Sequence, residues 1–228
     1  MKFTDRADAG RRLAGKLAHL KDRRPIVLAL PRGGVAVGFE IARALDAPLD
    51  IVLVRKIGVP WQPELALGAV SDGAEAETFI DAGLARELPL PERYVEEETA
   101  RQLAEIERRR GIYCAGRPPL DIKGQTAIVV DDGIATGATM RVALRAARRR
   151  APARLVLAVP IAPPDTLLEL AMEADEAVCL DTPDMLGAIG FYYRDFHQMS
   201  DAEVTDMLAR ASRPTAPEAP AGAAGRPS

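Results

Sequence analysis

The chain has 228 residues, 48% of them hydrophobic but only 4% aromatic, and a formal net charge of −3. That length suits one elaborated domain or two small ones, and a core of Ala, Val, Leu and Ile suits helices on a parallel sheet better than an aromatic-rich β-sandwich. The weak charge argues against wholesale nucleic-acid binding, no apolar run reaches membrane-spanning length, and His19 and His197 are too few for a His-rich metal site.

In chain order, FTDRADAGRRLAGKLAHL (Phe3 to Leu20) has helical spacing. Leu13, Leu17 and Leu20 share a face, and Asp5 or Asp8 can cap the start. IVLAL (Ile26 to Leu30) is a buried strand ended by PRGG. VAVGFEIARAL (Val35 to Leu45) is helical, and LDIVLVRK (Leu49 to Lys56) is the next strand. This β-α-β unit implies parallel strands. The middle is less regular: WQPELALGAV and ETFID can pair as a hairpin around SDGAEA. A long amphipathic helix is expected from Pro91 to Arg110, with Leu103 and Ile106 inward, and GRPPL (Gly116 to Leu120) closes the insertion.

A second α/β run follows. TAIVV (Thr126 to Val130) is a strand, and DDGIATGA leads into a helix from Thr139 to Arg150. LVLAVPIA is a strand, PPDTLLELAM a helix, and AVCL (Ala177 to Leu180) a last strand. One core sheet is expected to span both runs. From Ser212 the composition turns to Pro, Ala and Gly, as in a disordered tail. Cys114 and Cys179 form no CxxC and no signal peptide is evident, so two free thiols in a reducing cytoplasm are expected.

VVDDGIATGAT (Val129 to Thr139) carries most of the information. Two adjacent acids repel each other, and glycines weaken regular structure, so the stretch is costly to the fold. A loop between a strand and a helix presents backbone amides beside a helix N-terminus, which is an anion site. The acids stand at the carboxyl end of the strand, where ligands bind in open α/β sheets. Carboxylates repel phosphate but accept from hydroxyls, so the spacing suits a sugar phosphate.

This stretch closely resembles the phosphoribosyl pyrophosphate (PRPP) motif of type I phosphoribosyltransferases, and the order of elements resembles that family from Phe3 to Val204. The resemblance implies an α/β fold: a parallel core sheet with helices on both faces, a flap and a small hood. It places a phosphoribosyltransferase-like domain at 1–211, the flap at 58–116, the hood at 181–204 with part of the N-terminus, and the tail at 212–228. It implies that Asp131 and Asp132 contact ribose hydroxyls. Gly133, Ile134, Ala135, Thr136, Gly137, Ala138 and Thr139 then hold the 5′-phosphate. PRGG falls on the pyrophosphate loop. There Arg32, Gly33 and Gly34 contact pyrophosphate, and a non-proline cis peptide is expected between Pro31 and Arg32. Arg55 and Lys56 either add positive charge or end a strand in solvent. Mg²⁺ is expected to be held through PRPP and water, with no direct protein ligand. A homodimer is expected from similar proteins.

Members acting on 6-oxopurines carry a further Asp at the third position after the acid pair. Here that position is Ala135, which argues against hypoxanthine or guanine as acceptor. In the expected hood, LDTPDMLGAIGFYYRDF, Phe191, Tyr192 or Tyr193 can stack on a base or simply pack. His197 reads as structural, and Trp61 as an anchor for the flap or for a subunit contact. The runs Arg108 to Arg110 and Arg148 to Arg150 read as solvated cations ending helices. The leading expectation is an enzyme that moves ribose 5-phosphate from PRPP to a nitrogenous base or related acceptor. The alternative is a regulatory protein of the same fold that senses PRPP or a nucleotide. Rossmann dehydrogenases, P-loop kinases and α/β-hydrolases are disfavoured: RGGVAVG breaks GxGxxG, the loop has no GKS or GKT, and GxSxG is absent.

Overall fold

A computed structural model describes residues 2–71, 77–80, 82–88, 90–115 and 117–211. Residues 72–76 of the SDGAEA turn, Gly116 at the end of the expected flap, and the tail 212–228 lie outside the described residues.

Helix α1 (Arg6–Leu17) begins at Asp5, whose side chain accepts from the Asp8 amide at 2.7 Å. A 3-10 stretch (Ala18–Arg23) continues it. The helix therefore starts later than expected, because Phe3 is committed elsewhere: it bridges to Tyr193. Strand β1 (Ile26–Ala29) is wholly buried and feeds helix α2 (Gly33–Leu45). Strand β2 (Leu49–Ile51) then runs parallel to β1.

The single strand expected over Leu49 to Lys56 is two. After Ile51 the chain leaves the parallel sheet, and strand β3 (Val54–Val59) pairs antiparallel with β4 (Gln62–Ser71). Val52 and Leu53 are buried at the crossing, so the apolar run carries no break where the strand changes partner. Strand β5 (Glu77–Ile80) pairs with β4, giving the expected hairpin within a three-stranded sheet. Short helix α3 (Ala82–Glu87) precedes helix α4 (Glu92–Cys114), which runs past the expected end at Arg110. Ile106 is buried and Leu103 packs beside it, both inward as expected.

The chain then returns to the parallel sheet with β6 (Thr126–Val130), helix α5 (Ala138–Arg149), β7 (Arg154–Ile161), helix α6 (Pro164–Ala171) and β8 (Glu176–Asp181). The five-stranded order is β2-β1-β6-β7-β8, so one sheet joins both runs. Successive strand residues alternate faces. Val27, Ala29, Ile128 and Val130 pack with residues of α1, α2 and α4. Leu28, Ala127, Val129 and Leu157 pack with α5 and Leu170 of α6. Both faces are thus covered by helices, as a parallel sheet requires. A final helix, α7 (Asp201–Ala211), packs Val204 and Leu208 into the first cluster. No helix among the described residues is long and apolar enough to cross a membrane.

Candidate functional site

Strands β1 and β6 are neighbours, with Ala29 paired to Val130. The loops that follow them, PRGG and DDGIATGAT, therefore emerge side by side at the carboxyl edge of the sheet. The Leu30 amide donates to Val130 O at 2.9 Å, and the Gly34 amide to Leu30 O at 3.1 Å. The Pro31–Arg32 peptide is cis, as expected. A Cβ on Gly33 would fall 1.9 Å from Asp132 Oδ2, and one on Gly34 2.8 Å from Val130 O. The close approach of the two loops needs glycine there.

The acid pair is held from several sides. The Asp132 amide donates to Asp131 Oδ1 at 2.8 Å. Arg6 of α1 donates from Nε to Asp132 Oδ2 at 2.7 Å, and from its NH1 group to His197 O at 2.9 Å. The Phe196 ring lies 3.9 Å from the same guanidinium carbon. The Tyr193 hydroxyl donates to Asp132 O at 2.6 Å. Loss of water contact and the adjacent Asp132 carboxylate push the Asp131 carboxyl well above the usual carboxylate range. Burial, reinforced by Asp132, also raises the Tyr193 phenol.

The rest of the loop divides into anchors and an open mouth. Ile134 is buried, and its amide donates to Ile161 O at 2.9 Å. Ile134 therefore contributes packing, and its amide is engaged by the neighbouring strand. Gly137 caps α5 at φ +75°, where a Cβ would also meet Thr166 at 2.8 Å. Ala135, Thr136 and Thr139 are exposed, and Gly133 and Ala138 complete the turn between them.

Arg55 and Lys56 separate. They sit on β3, in the antiparallel sheet, not at the end of a parallel strand. Arg55 donates from Nε to Gln102 Oε1 at 2.9 Å and lines a cavity of about 40 Å³ with Pro31, Thr139 and Arg109. Lys56 is exposed and does not line it. Arg109, on α4, is a further cation at this site, although the run Arg108 to Arg110 reads as solvated. On the other side of the loop, Arg32 stands 3.8 Å from Asp201 Oδ1, which accepts from the Tyr113 hydroxyl at 2.7 Å. Burial and that hydrogen bond push the Tyr113 phenol up to about 12.

A model of the phosphoribosyl transferase domain matches residues 3–195. The chain belongs to this family. A provisionally named phosphoribosyl transferase of Mycobacterium tuberculosis, found in two strains, is 46% identical over 211 residues, covering 92% of this chain and 47% of that protein. The chain thus spans about half the length of the curated relatives it matches. The crystal structure of TT1426 from Thermus thermophilus matches with a TM-score of 0.81 at 43% identity, over 92% of this chain and 99% of that one. A purine phosphoribosyltransferase from Pyrococcus horikoshii aligns at 16% identity and a TM-score of 0.43, over 86% of this chain and 93% of that one, too loosely to bear on the acceptor.

In this phosphoribosyl transferase domain the segment after β8 is partly open. Phe191 is 72% exposed and Met185 89%. Tyr192 is half-buried, with its hydroxyl donating to Met185 O at 3.3 Å. Tyr193 is not available to stack on a base: it is buried between Phe3 and Phe196, at centroid distances of 5.3 and 4.9 Å. The pattern FYY showed three aromatic candidates, and only burial separates them. His197 lies between Asp195 and Glu203, whose hydrogen bonds raise its pKa. Trp61 is exposed at the turn between β3 and β4. Among the described residues no three His, Cys, Asp or Glu side chains gather as metal ligands. With Asp132 already ion-paired to Arg6, the acid pair fits a divalent cation best through a ligand's own oxygens.

Proposed function

We propose that this domain transfers ribose 5-phosphate from PRPP to a nitrogenous base or related acceptor and releases pyrophosphate. The observation that carries this reading is the close approach of Gly33 to Asp132, which brings the PRGG loop against the acid pair. PRPP is a ligand that needs both on adjacent carbons: pyrophosphate at C1 and hydroxyls at C2 and C3.

Asp131 and Asp132 accept from the ribose hydroxyls, while the amides of Gly133 and Gly137 to Thr139, with the Thr136 and Thr139 hydroxyls, hold the 5′-phosphate. Arg32, Gly33 and Gly34 take the pyrophosphate from one side, Arg55 and Arg109 from the other. The C1–O bond breaks with its electron pair going to pyrophosphate, and the acceptor nitrogen forms the new bond to C1. Charge builds on the leaving group, so preorganised guanidiniums lower the barrier. Mg²⁺, if carried in on PRPP through the ligand's own oxygens, would supply further neutralisation of the leaving group's charge. Phe191 and Tyr192 are the surfaces on which a planar acceptor would stack. The sheet β3–β5 with α4 closes over the sugar and keeps water from it.

A sensor that binds PRPP without turnover is the second reading. It is favoured by Ala135, an exposed methyl where an acid would serve a 6-oxopurine. Incubation with PRPP, Mg²⁺ and a panel of bases, followed by pyrophosphate release, separates the two. Base-dependent release supports the transferase, and tight binding without release supports the sensor. Absence of PRPP binding by calorimetry defeats both.

A further inference from the structure

We propose that Arg6 is a positioning residue of the ribose site, holding the Asp132 carboxylate in the orientation that meets the sugar; this rests on the transferase reading above. Arg6 comes from the first turn of α1, remote in sequence from every motif residue, and is only 8% exposed. Its guanidinium is fixed by three groups. Nε donates to Asp132 Oδ2 at 2.7 Å, the NH1 group donates to His197 O at 2.9 Å, and the Phe196 ring covers it at 3.9 Å. A guanidinium is a rigid planar fork, so fixing two of its nitrogens fixes the carboxylate it holds. The Tyr193 hydroxyl pins the main chain of the same aspartate at 2.6 Å. Asp132 is therefore set at both its side chain and its carbonyl.

Packing alone does not account for a cation here. The neighbouring Phe3, Tyr193 and Phe196 form an aromatic cluster, in which Met or Leu would fill the volume without the cost of desolvating a charge. The charge is matched to the carboxylate. Arg6 also stands beside the PRGG loop: a Cβ on Gly33 would fall 3.1 Å from its Nε. Through His197 O the same side chain grips the segment that would cover the acceptor, so the acceptor cover and the ribose acids share one tether.

The test compares two ligands in three variants. Calorimetry with PRPP and Mg²⁺, and separately with pyrophosphate and Mg²⁺, is run on the wild type, Arg6→Met, Arg6→Lys and Tyr193→Phe, with thermal melts beside them. A well-oriented charge-assisted hydrogen bond to a ligand is worth roughly tenfold to a hundredfold in affinity, so Arg6→Met, which leaves Asp132 unoriented, is expected to weaken PRPP within that range. Pyrophosphate affinity should fall much less, because Arg6 commits its Nε to Asp132 and its NH1 group to His197 O and leaves the Gly33 and Gly34 amides in place. Arg6→Lys keeps the charge but not the fork and should fall between. Tyr193→Phe keeps the ring stack and loses only the hydroxyl. It should show the same selective loss, smaller; Arg6→Lys decides the matter if Arg6→Met does not fold. Unchanged PRPP affinity overturns the proposal. So do equal losses for both ligands, which would make Arg6 a direct phosphate contact or a structural prop. A wild type that fails to bind PRPP overturns the transferase reading instead.

Discussion

Gly33 and Asp132 belong to different β-α units, yet a Cβ on the glycine would lie 1.9 Å from the aspartate's Oδ2. The PRGG loop and the acid pair thus form one surface. Gly33→Ala gains helix propensity at the start of α2, worth about 1 kcal/mol, but it must displace Asp132 or the loop. The expected result is a PRPP affinity lowered by more than about tenfold with the fold retained. Calorimetry with circular dichroism checks it, and unchanged affinity would show that the loops have room to part.

The acid pair predicts a trade between stability and binding. Burial and Asp132 raise the Asp131 carboxyl in the folded state. Its contribution is fully present below the unfolded value, about 3.9, and is lost as pH rises through the folded value. Asp131→Asn removes that loss. Without ligand, the variant should melt higher than the wild type at pH 7, and the gap should close as pH falls below about 4. PRPP binding should be lost at the same time. A variant that melts lower at pH 7 would contradict the raised carboxyl.

The insertion is clipped to the parallel sheet by Asp50 of β2. Its carboxylate accepts from Arg110 at 3.1 Å through both oxygens and from the Leu120 amide at 2.8 Å. Both side chains of the pair are nearly buried, at 12% and 8% exposure. Arg110 is therefore not a solvated helix-end charge, as the run of three arginines suggested. Helix α4 continues to Cys114, while Arg108 and Arg109 turn to Glu105. Asp50→Ala leaves a buried guanidinium without its carboxylate and should cost about 3–5 kcal/mol, read from urea unfolding. A loss below about 1 kcal/mol would mean that water replaces the carboxylate.

The β-α order, the parallel sheet and the acid-and-glycine loop were legible because each rests on local signals: apolar runs, helical spacing and glycines after strands. What was not legible depends on which partner a residue meets. LDIVLVRK gives no sign that the chain changes sheets at Val52. RADAG gives no sign that Arg6 reaches Asp132. Helix α7 did leave a signal, the Ser200 to Glu203 capping box, seen in the reciprocal bonds of 2.7 Å from the Ser200 amide and 3.3 Å from the Glu203 amide. Ser200→Ala should lower stability by about 0.5–2 kcal/mol, measured by chemical denaturation, and a neutral result would place the start of α7 under the control of its packing alone.

Arg109 offers the sharpest separation of roles within the site. It shares a cavity of about 40 Å³ with Arg55, Pro31 and Thr139. Its Nε is bound to Glu105 at 2.7 Å, which orients the guanidinium without burying it. If it receives pyrophosphate, Arg109→Gln should weaken pyrophosphate and PRPP alike, by about tenfold for one charge-assisted hydrogen bond, and leave ribose 5-phosphate unaffected. Asp132→Asn should do the reverse, weakening PRPP and ribose 5-phosphate while sparing pyrophosphate. Calorimetry with the three ligands reads both variants in one matrix. If Arg109→Gln leaves pyrophosphate binding unchanged, the cation serves only α4, and the leaving group is held by Arg32, Arg55 and the Gly33 and Gly34 amides.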